Sequence, residues 1–165
     1  MSQQKRIAIV PGSFDPITIG HLDIVKRAAD AYDEVIVAVM INRDKRYLFT
    51  LDQRKALAEA AVRDLPTVKV IASEGMLWEL AKEIGACALV KGYRNEVDLA
   101  YEKAMAEYNR AHYPDAETVL FPADERYFNI SSTLVRQKLA NGEDLKKELP
   151  CAVIEEIYRI IPRRL

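Results

Sequence analysis

The chain has 165 residues, half of them apolar, and carries a formal charge of -1. That length and apolar content suit one compact domain, residues 1–165, with a sizeable core. The near-balance of charge excludes the broad basic surface of a nucleic-acid binder, although a local basic pocket is compatible with it. No apolar run approaches a membrane span or a signal-peptide core, so a cytoplasmic protein is expected.

The first element is the β-branched run Arg6-Ile7-Ala8-Ile9-Val10. After it, Pro11-Gly12-Ser13-Phe14-Asp15-Pro16-Ile17-Thr18-Ile19-Gly20-His21 leads into a helix on which Val25, Ala28, Ala29 and Tyr32 recur at helical spacing. Strand, tight loop and helix follow directly. A loop with Gly12 and Gly20 opening onto a helix N-terminus, where free N–H groups and the dipole favour negative charge, is a phosphate site. His21 falls in the first turn, so its imidazole is expected to face the anion and not the core. Neither G-x-G-x-x-G nor G-x-x-x-x-G-K-[ST] is present.

Glu34 to Val39 reads as a strand buried on both faces. The charged segment Asn42-Arg43-Asp44-Lys45-Arg46-Tyr47 lies beyond its carboxyl end, where open α/β sheets bind ligands, which makes Lys45 a candidate anion contact; a solvated loop is the alternative. Thr50-Leu51-Asp52-Gln53 has capping-box spacing and starts a helix to about Val62. Val68 to Ile71 is the third strand. A short helix between Gly75 and Gly85 presents Leu77, Leu80, Ala81 and Ile84 on one face, with Trp78 as packing and Leu77 also placed to line a pocket.

Ala88-Leu89-Val90 is the fourth strand, followed by a turn Lys91-Gly92-Tyr93-Arg94-Asn95 that puts two cations and a glycine at a strand's carboxyl end. On the next helix, Val97 to His112, the residues Asp98, Glu102, Met105 and Asn109 share a stripe, and His112 reads as a surface or packing residue. Glu117 to Phe121 is the fifth strand. Tyr127-Phe128-Asn129-Ile130-Ser131-Ser132-Thr133 then brings three hydroxyls to a helix start, a second phosphate site with aromatic residues to abut a base, and Gly142 closes that helix. A terminal helix is expected from about 143, with Arg163 and Arg164 as a solvated tail. Cys87 and Cys151, far apart and without C-x-x-C spacing, read as structural thiols, and no protein-built metal site is visible. The β–α alternation predicts an α/β fold: a Rossmann-like, doubly wound, five-stranded parallel sheet with helices on both faces.

Thr18-Ile19-Gly20-His21 has the T/H-x-G-H form shared by a superfamily of nucleotidyltransferases. With Phe49-Thr50-Leu51, Lys91-Gly92-Tyr93-Arg94, Asp98, Tyr101-Glu102 and Ile130-Ser131-Ser132-Thr133-Leu134-Val135 in this order, the chain from Arg6 to about Ile161 resembles the phosphopantetheine adenylyltransferases. The resemblance implies transfer of AMP from ATP to 4′-phosphopantetheine, giving dephospho-coenzyme A and pyrophosphate. It implies ATP contacts at Ser13, Phe14, His21, Gly92, Tyr93, Arg94, Glu102 and the segment Tyr127, Phe128, Asn129, Ile130, Ser131, Ser132, Thr133. It implies phosphopantetheine contacts at Ser13, Lys45, Leu77 and Lys91, and a homohexamer, a dimer of trimers, with coenzyme A as a feedback inhibitor. Position 13 is often Thr in that family and position 91 commonly Arg, so Lys91 keeps charge but not the bidentate fork.

The chemistry such residues support is an in-line attack of one phosphate on the α-phosphorus of another, for which no protein nucleophile is needed. His21 would stabilise the transition state, with Lys45, Lys91 and Arg94 neutralising charge and Mg²⁺ arriving on the ATP phosphates. A nicotinamide-mononucleotide adenylyltransferase or a cytidylyltransferase shares the same motifs and stays open. So does a non-catalytic nucleotide-binding module, which the survival of the cations disfavours. A class I aminoacyl-tRNA synthetase lacks any counterpart here to its anticodon domain.

Overall fold

The computed structural model describes residues 3–162; Arg163 and Arg164 lie outside them. The elements are β1 (Ile7–Gly12), α1 (Ile19–Ala31), β2 (Glu34–Met40), α2 (Leu51–Val62), β3 (Val68–Ser73), α3 (Leu77–Ile84), β4 (Ala88–Tyr93), α4 (Glu96–His112), β5 (Glu117–Pro122), α5 (Ser132–Ala140) and α6 (Cys151–Ile160), with a single 3-10 turn at Glu125–Tyr127 before α5. The five strands are all parallel in the order β3-β2-β1-β4-β5. This is the expected doubly wound α/β sheet.

Strand alternation sorts the sheet's side chains to two faces. Ala8, Val10, Val35, Val37, Val39, Ala88 and Val90 face a core shared with Val25 and Ala28 of α1, Leu57 and Ala58 of α2, Val135 of α5 and Val153 and Ile157 of α6. Ile9, Ile36, Ala38 and Leu89 face the other way, onto Leu80 and Ala81 of α3. Helix starts are set locally. Thr50 and Gln53 form the expected capping box, and Asn95 and Ser131 each accept an N–H from the third residue of their helix. Among the described residues no helix is long and apolar enough to cross a membrane.

The end of β1 and the start of the terminal helix are among the boundaries that differ from the sequence reading. β1 continues through Pro11 and Gly12, paired with Ala38 and Val39 of β2, because β1 is bonded to β4 only at Ala8 and Ile9; a proline is tolerated where a strand has one paired neighbour. The terminal helix begins at Cys151, not near 143. Leu145 and Leu149, both fully buried, plug the core from an irregular turn, the Glu148 carbonyl accepts from Ile19 N–H at 2.9 Å, and Pro150 stands at the N-cap of α6, a position that needs no intrahelical donor. α6 then lies along α2, its Ile157 wholly buried.

Because Ile157 ties α6 into the main core, Ile157→Ala is expected to lower the unfolding free energy by about 2–5 kcal/mol, read in a single urea transition. Two separate transitions would show α6 to be an appendage.

Candidate active site

β1 is paired with β2 over six positions but with β4 over two, so β1 and β4 part after Ile9. Strand order reverses there, and the crevice beyond the carboxyl ends of the parting strands is where doubly wound sheets take their ligands. The segment after β1 enters that crevice from one side and the end of β4 from the other.

The loop after β1 is held from behind. Phe14 sits in left-handed backbone (φ 48°) with a buried ring, and a Cβ on Gly12 would stand 2.8 Å from that ring, so position 12 requires glycine. Three carbonyls of the loop are drawn inward: Ser13 O accepts from Arg54 Nη1 at 2.6 Å, Asp15 O from Arg136 Nη1 at 2.8 Å and Pro16 O from Ser132 Oγ at 2.8 Å. Across a planar trans peptide the N–H points opposite to the C=O, so drawing Ser13 O inward turns Phe14 N–H outward. The Asp15 carboxylate is occupied as well, accepting from Leu48 N–H at 2.9 Å and Phe49 N–H at 3.0 Å. A surface from which carbonyl oxygens have been withdrawn is an anion cradle.

At the start of α1, Thr18 Oγ1 accepts from His21 N–H while His21 Nδ1 accepts from Thr18 N–H at 3.0 Å. The sequence reading had the imidazole facing the anion and not the core; in the structure one edge caps the helix, and the ring stands edge-on to the buried Phe14 with centroids 5.2 Å apart. Since Nδ1 accepts, its proton must be on Nε2, on the far edge of the ring. Burial, and secondarily the positive charge of Arg94, lowers the His21 pKa to about 4. The site therefore holds a neutral imidazole that donates through Nε2–H. Not every amide of this first turn is free: Ile19 N–H goes to Glu148 O and His21 N–H to Thr18, leaving Gly20 N–H without a partner among the described residues.

Lys91-Gly92-Tyr93 form strand, not a turn, pairing with Leu120, Phe121 and Pro122 of β5. Alternation then separates their roles. Gly92 faces α1, where an added Cβ would meet Ile24 at 3.0 Å. Lys91 faces α3 and α4 and lines a cleft with Met76, Leu77, Glu102, Met105 and Asn109. Its ammonium lies 3.0 Å from Glu102 Oε2, a contact not aligned as a hydrogen bond, so that buried oxygen has a charge beside it but no donor. Arg94, at the mouth, is exposed and lies 3.4 Å from Asp98. Lys45 is exposed in the loop after β2 and has no ion pair among the described residues.

The α5 hydroxyls are engaged by the protein. Ser131 caps the helix, Ser132 holds Pro16 O, and Thr133 Oγ1 accepts from Arg136 at 3.2 Å, so what α5 can offer an anion is first-turn N–H groups. Tyr127 reaches the start of α1, its Cβ 3.5 Å from where a Gly20 Cβ would be, and Phe128 is exposed nearby in sequence. His112 packs, stacked on Trp78 at 5.0 Å. Among the described residues no group of three or more His, Cys, Asp or Glu gathers as a metal site.

Residues 9–138 match the family model described as cytidylyltransferase-like. The chain is 45% identical over 157 residues to a phosphopantetheine adenylyltransferase of Clavibacter michiganensis subsp. michiganensis, covering 93% of this chain and 96% of the relative. It is 39% identical over 153 residues to one of Lachnoclostridium phytofermentans, covering 93% and 94%. The chain belongs to the phosphopantetheine adenylyltransferase family. It is thus a nucleotidyltransferase. A solved structure from Vibrio parahaemolyticus described as a nicotinate-nucleotide adenylyltransferase superposes with a TM-score of 0.71 at 20% identity, covering 94% of this chain and 93% of that one, a likeness of fold.

Sequence reasoning missed the residues that hold the site of this adenylyltransferase from behind: Asp15, Tyr47, Arg54 and Arg136. Arg54 did carry a signal. It lies on the stripe of Leu51, Leu57, Ala58, Ala61 and Val62, where an arginine among apolar residues at helical spacing calls for a buried partner.

The His21 pKa gives a signed prediction. Held near 4 in the fold and about 6.5 in the unfolded chain, His21 favours folding fully above pH 6.5, and that contribution is lost as pH falls from 6.5 towards 4. Nuclear magnetic resonance of the imidazole should find it neutral at pH 6, protonated on Nε2 alone; a midpoint near 6.5 would contradict the assignment.

Proposed function

We propose that the protein transfers AMP from ATP to 4′-phosphopantetheine, releasing pyrophosphate and dephospho-coenzyme A, by direct displacement at the α-phosphorus. The observation that carries this reading is the meeting, at one sheet crevice, of two anion sites of different character. One is the loop after β1, three of whose carbonyls are turned away, with His21 and Arg94. The other is Lys91 at the head of a cleft whose further walls, Met76, Leu77 and Met105 with the Asn109 amide, suit a chain of methylenes and amides. Nucleotide phosphates fit the first and a phosphorylated pantetheine arm the second.

Both reacting groups are phosphates, so the work of the protein is to align them and stabilise the charge of the pentavalent transition state. His21 Nε2–H donates to an oxygen of the α-phosphate without moving a proton. Arg94 and Lys45, on opposite sides of the crevice, neutralise the leaving pyrophosphate and the incoming phosphate, and Lys91 draws the latter into line. The carboxylates nearest the crevice, Asp15, Asp98 and Glu102, are each already beside an N–H or a cation. They suit Mg²⁺ carried on the phosphates, where it would add positive charge to the leaving group, and not an ion lodged in the protein.

Coenzyme A shares the arm of the product and would compete for the same cleft. Assembly as a homohexamer is part of this proposal, supported by the exposed apolar stripe of Val97, Tyr101 and Tyr108 on α4. A cytoplasmic location accords with ATP as substrate and with two free cysteines.

With ATP and Mg²⁺, pyrophosphate release is expected with phosphopantetheine and not with nicotinate mononucleotide, and His21→Ala should lower kcat by about 10²–10³-fold with an unchanged circular dichroism spectrum. Release with nicotinate mononucleotide instead would transfer the protein to the other branch of the superfamily.

A further inference from the structure

Arg54 is 1% exposed and heads the largest fully buried side chains of the protein. Among the described residues it has no ion-pair partner; Nη1 instead donates to two carbonyls, Ser13 O at 2.6 Å and Met40 O at 2.9 Å, and the guanidinium lies 3.9 Å from the centroid of the Tyr47 ring. Its Nε has no partner at all. Burying a cation without a carboxylate is costly, and burial accordingly lowers its pKa, although an arginine stays charged. Packing alone would be served by an apolar residue, as it is at Leu57 and Ala58 on the same stripe.

What only a guanidinium supplies here is a junction. Ser13 O ends the backbone run out of β1, and Met40 O is the last carbonyl of β2, so one nitrogen gathers the carboxyl ends of two neighbouring strands. The flat face carries Tyr47, whose hydroxyl accepts from Asn42 N–H at 2.6 Å, donates to Asn42 O at 3.2 Å and lies 3.4 Å from Ser13 Oγ. The ring thereby closes the Asn42–Tyr47 loop that bears Lys45 against the loop that bears Ser13 and Phe14.

We propose that Arg54 is a positioning residue for adenylyl transfer, fixing the nucleotide loop and the Lys45 loop in one register so that both substrates meet in line. The inference rests on the function proposed above. Arg54 touches no substrate; it turns Ser13 O inward, hence Phe14 N–H outward, and sets the height of Lys45 through Tyr47. A merely structural Arg54 would affect stability alone.

The test compares wild type, Arg54→Lys and Tyr47→Leu in pyrophosphate release, at equal folded concentration by near-ultraviolet circular dichroism, with ATP binding measured separately by calorimetry. Lysine keeps the charge, but its compact ammonium cannot lie flat under the ring. Arg54→Lys should lose about 10²-fold in kcat, the scale of a misplacement near 1 Å, and raise KM for both substrates, with Tyr47→Leu showing the same pattern in smaller degree. Variants with a lowered Tm but wild-type kcat, KM and ATP affinity overturn the inference, and if Arg54→Lys does not fold, wild-type kinetics in Tyr47→Leu overturn it alone. Wild type inactive with phosphopantetheine overturns the proposed function instead, and the loss of ATP affinity in the variants then still decides the role of Arg54.

Discussion

A backbone loop can hold a phosphate only if its carbonyl oxygens face elsewhere, and in this protein that orientation is imposed by donors that come from far along the chain. Arg54 of α2, Arg136 of α5 and Ser132 at the start of α5 each take one carbonyl of the loop after β1. Hydrogen bonds from a charged donor are worth roughly 1.5–3 kcal/mol each, enough together to hold a loop in one arrangement. Everything else in the site depends on it. Phe14 can occupy left-handed backbone because its ring is clamped over Gly12, and His21 is oriented because Thr18, at the end of the same loop, caps the helix it starts.

The two proposed anion sites are built on different physics. The first relies on N–H groups and a neutral imidazole whose low pKa follows from burial beside Arg94. In the proposed reaction a neutral donor there would strengthen as negative charge develops on the phosphate oxygen, without the desolvation cost of a second buried cation. The second relies on a true charge, Lys91, which Glu102 neutralises at 3.0 Å while keeping one buried oxygen without a donor. Glu102 thus holds the ammonium at the cleft head in a contact that is not a full hydrogen bond, so that under the proposed function its protons would be left to the incoming phosphate.

Much of this was legible in the sequence because it is local. A capping residue and its partner are three apart, so Thr50 with Gln53 is read off directly, and strands buried on both faces announce themselves as apolar runs; Thr18 with His21 has the same spacing, but the sequence reading assigned that imidazole to the anion. The stripe of Asp98, Glu102, Met105 and Asn109 was legible for the same reason; the structure puts the last three in the cleft, without Asp98, and Leu77, which the sequence also placed to line a pocket, lies there with them. What failed was whatever depends on distant pairing. Lys91 read as a turn because nothing local reveals that β5 extends β4 to Tyr93. The residues before Cys151 read as part of the terminal helix, whereas Leu145 and Leu149 are buried in an irregular turn whose Glu148 carbonyl is tied to Ile19 N–H of α1. Asp15 and Arg136 were invisible because their partners are over thirty and over a hundred residues away.

The central claim is that this site aligns two phosphates and contributes no nucleophile of its own. The stereochemistry at the α-phosphorus tests it most directly. With ATP made chiral at that phosphorus by a thiophosphate and a heavy oxygen isotope, a single in-line displacement inverts the configuration in the dephospho-coenzyme A formed. Inversion is the result this account predicts; retention, the mark of two successive displacements through a covalent adenylyl-enzyme, would contradict it.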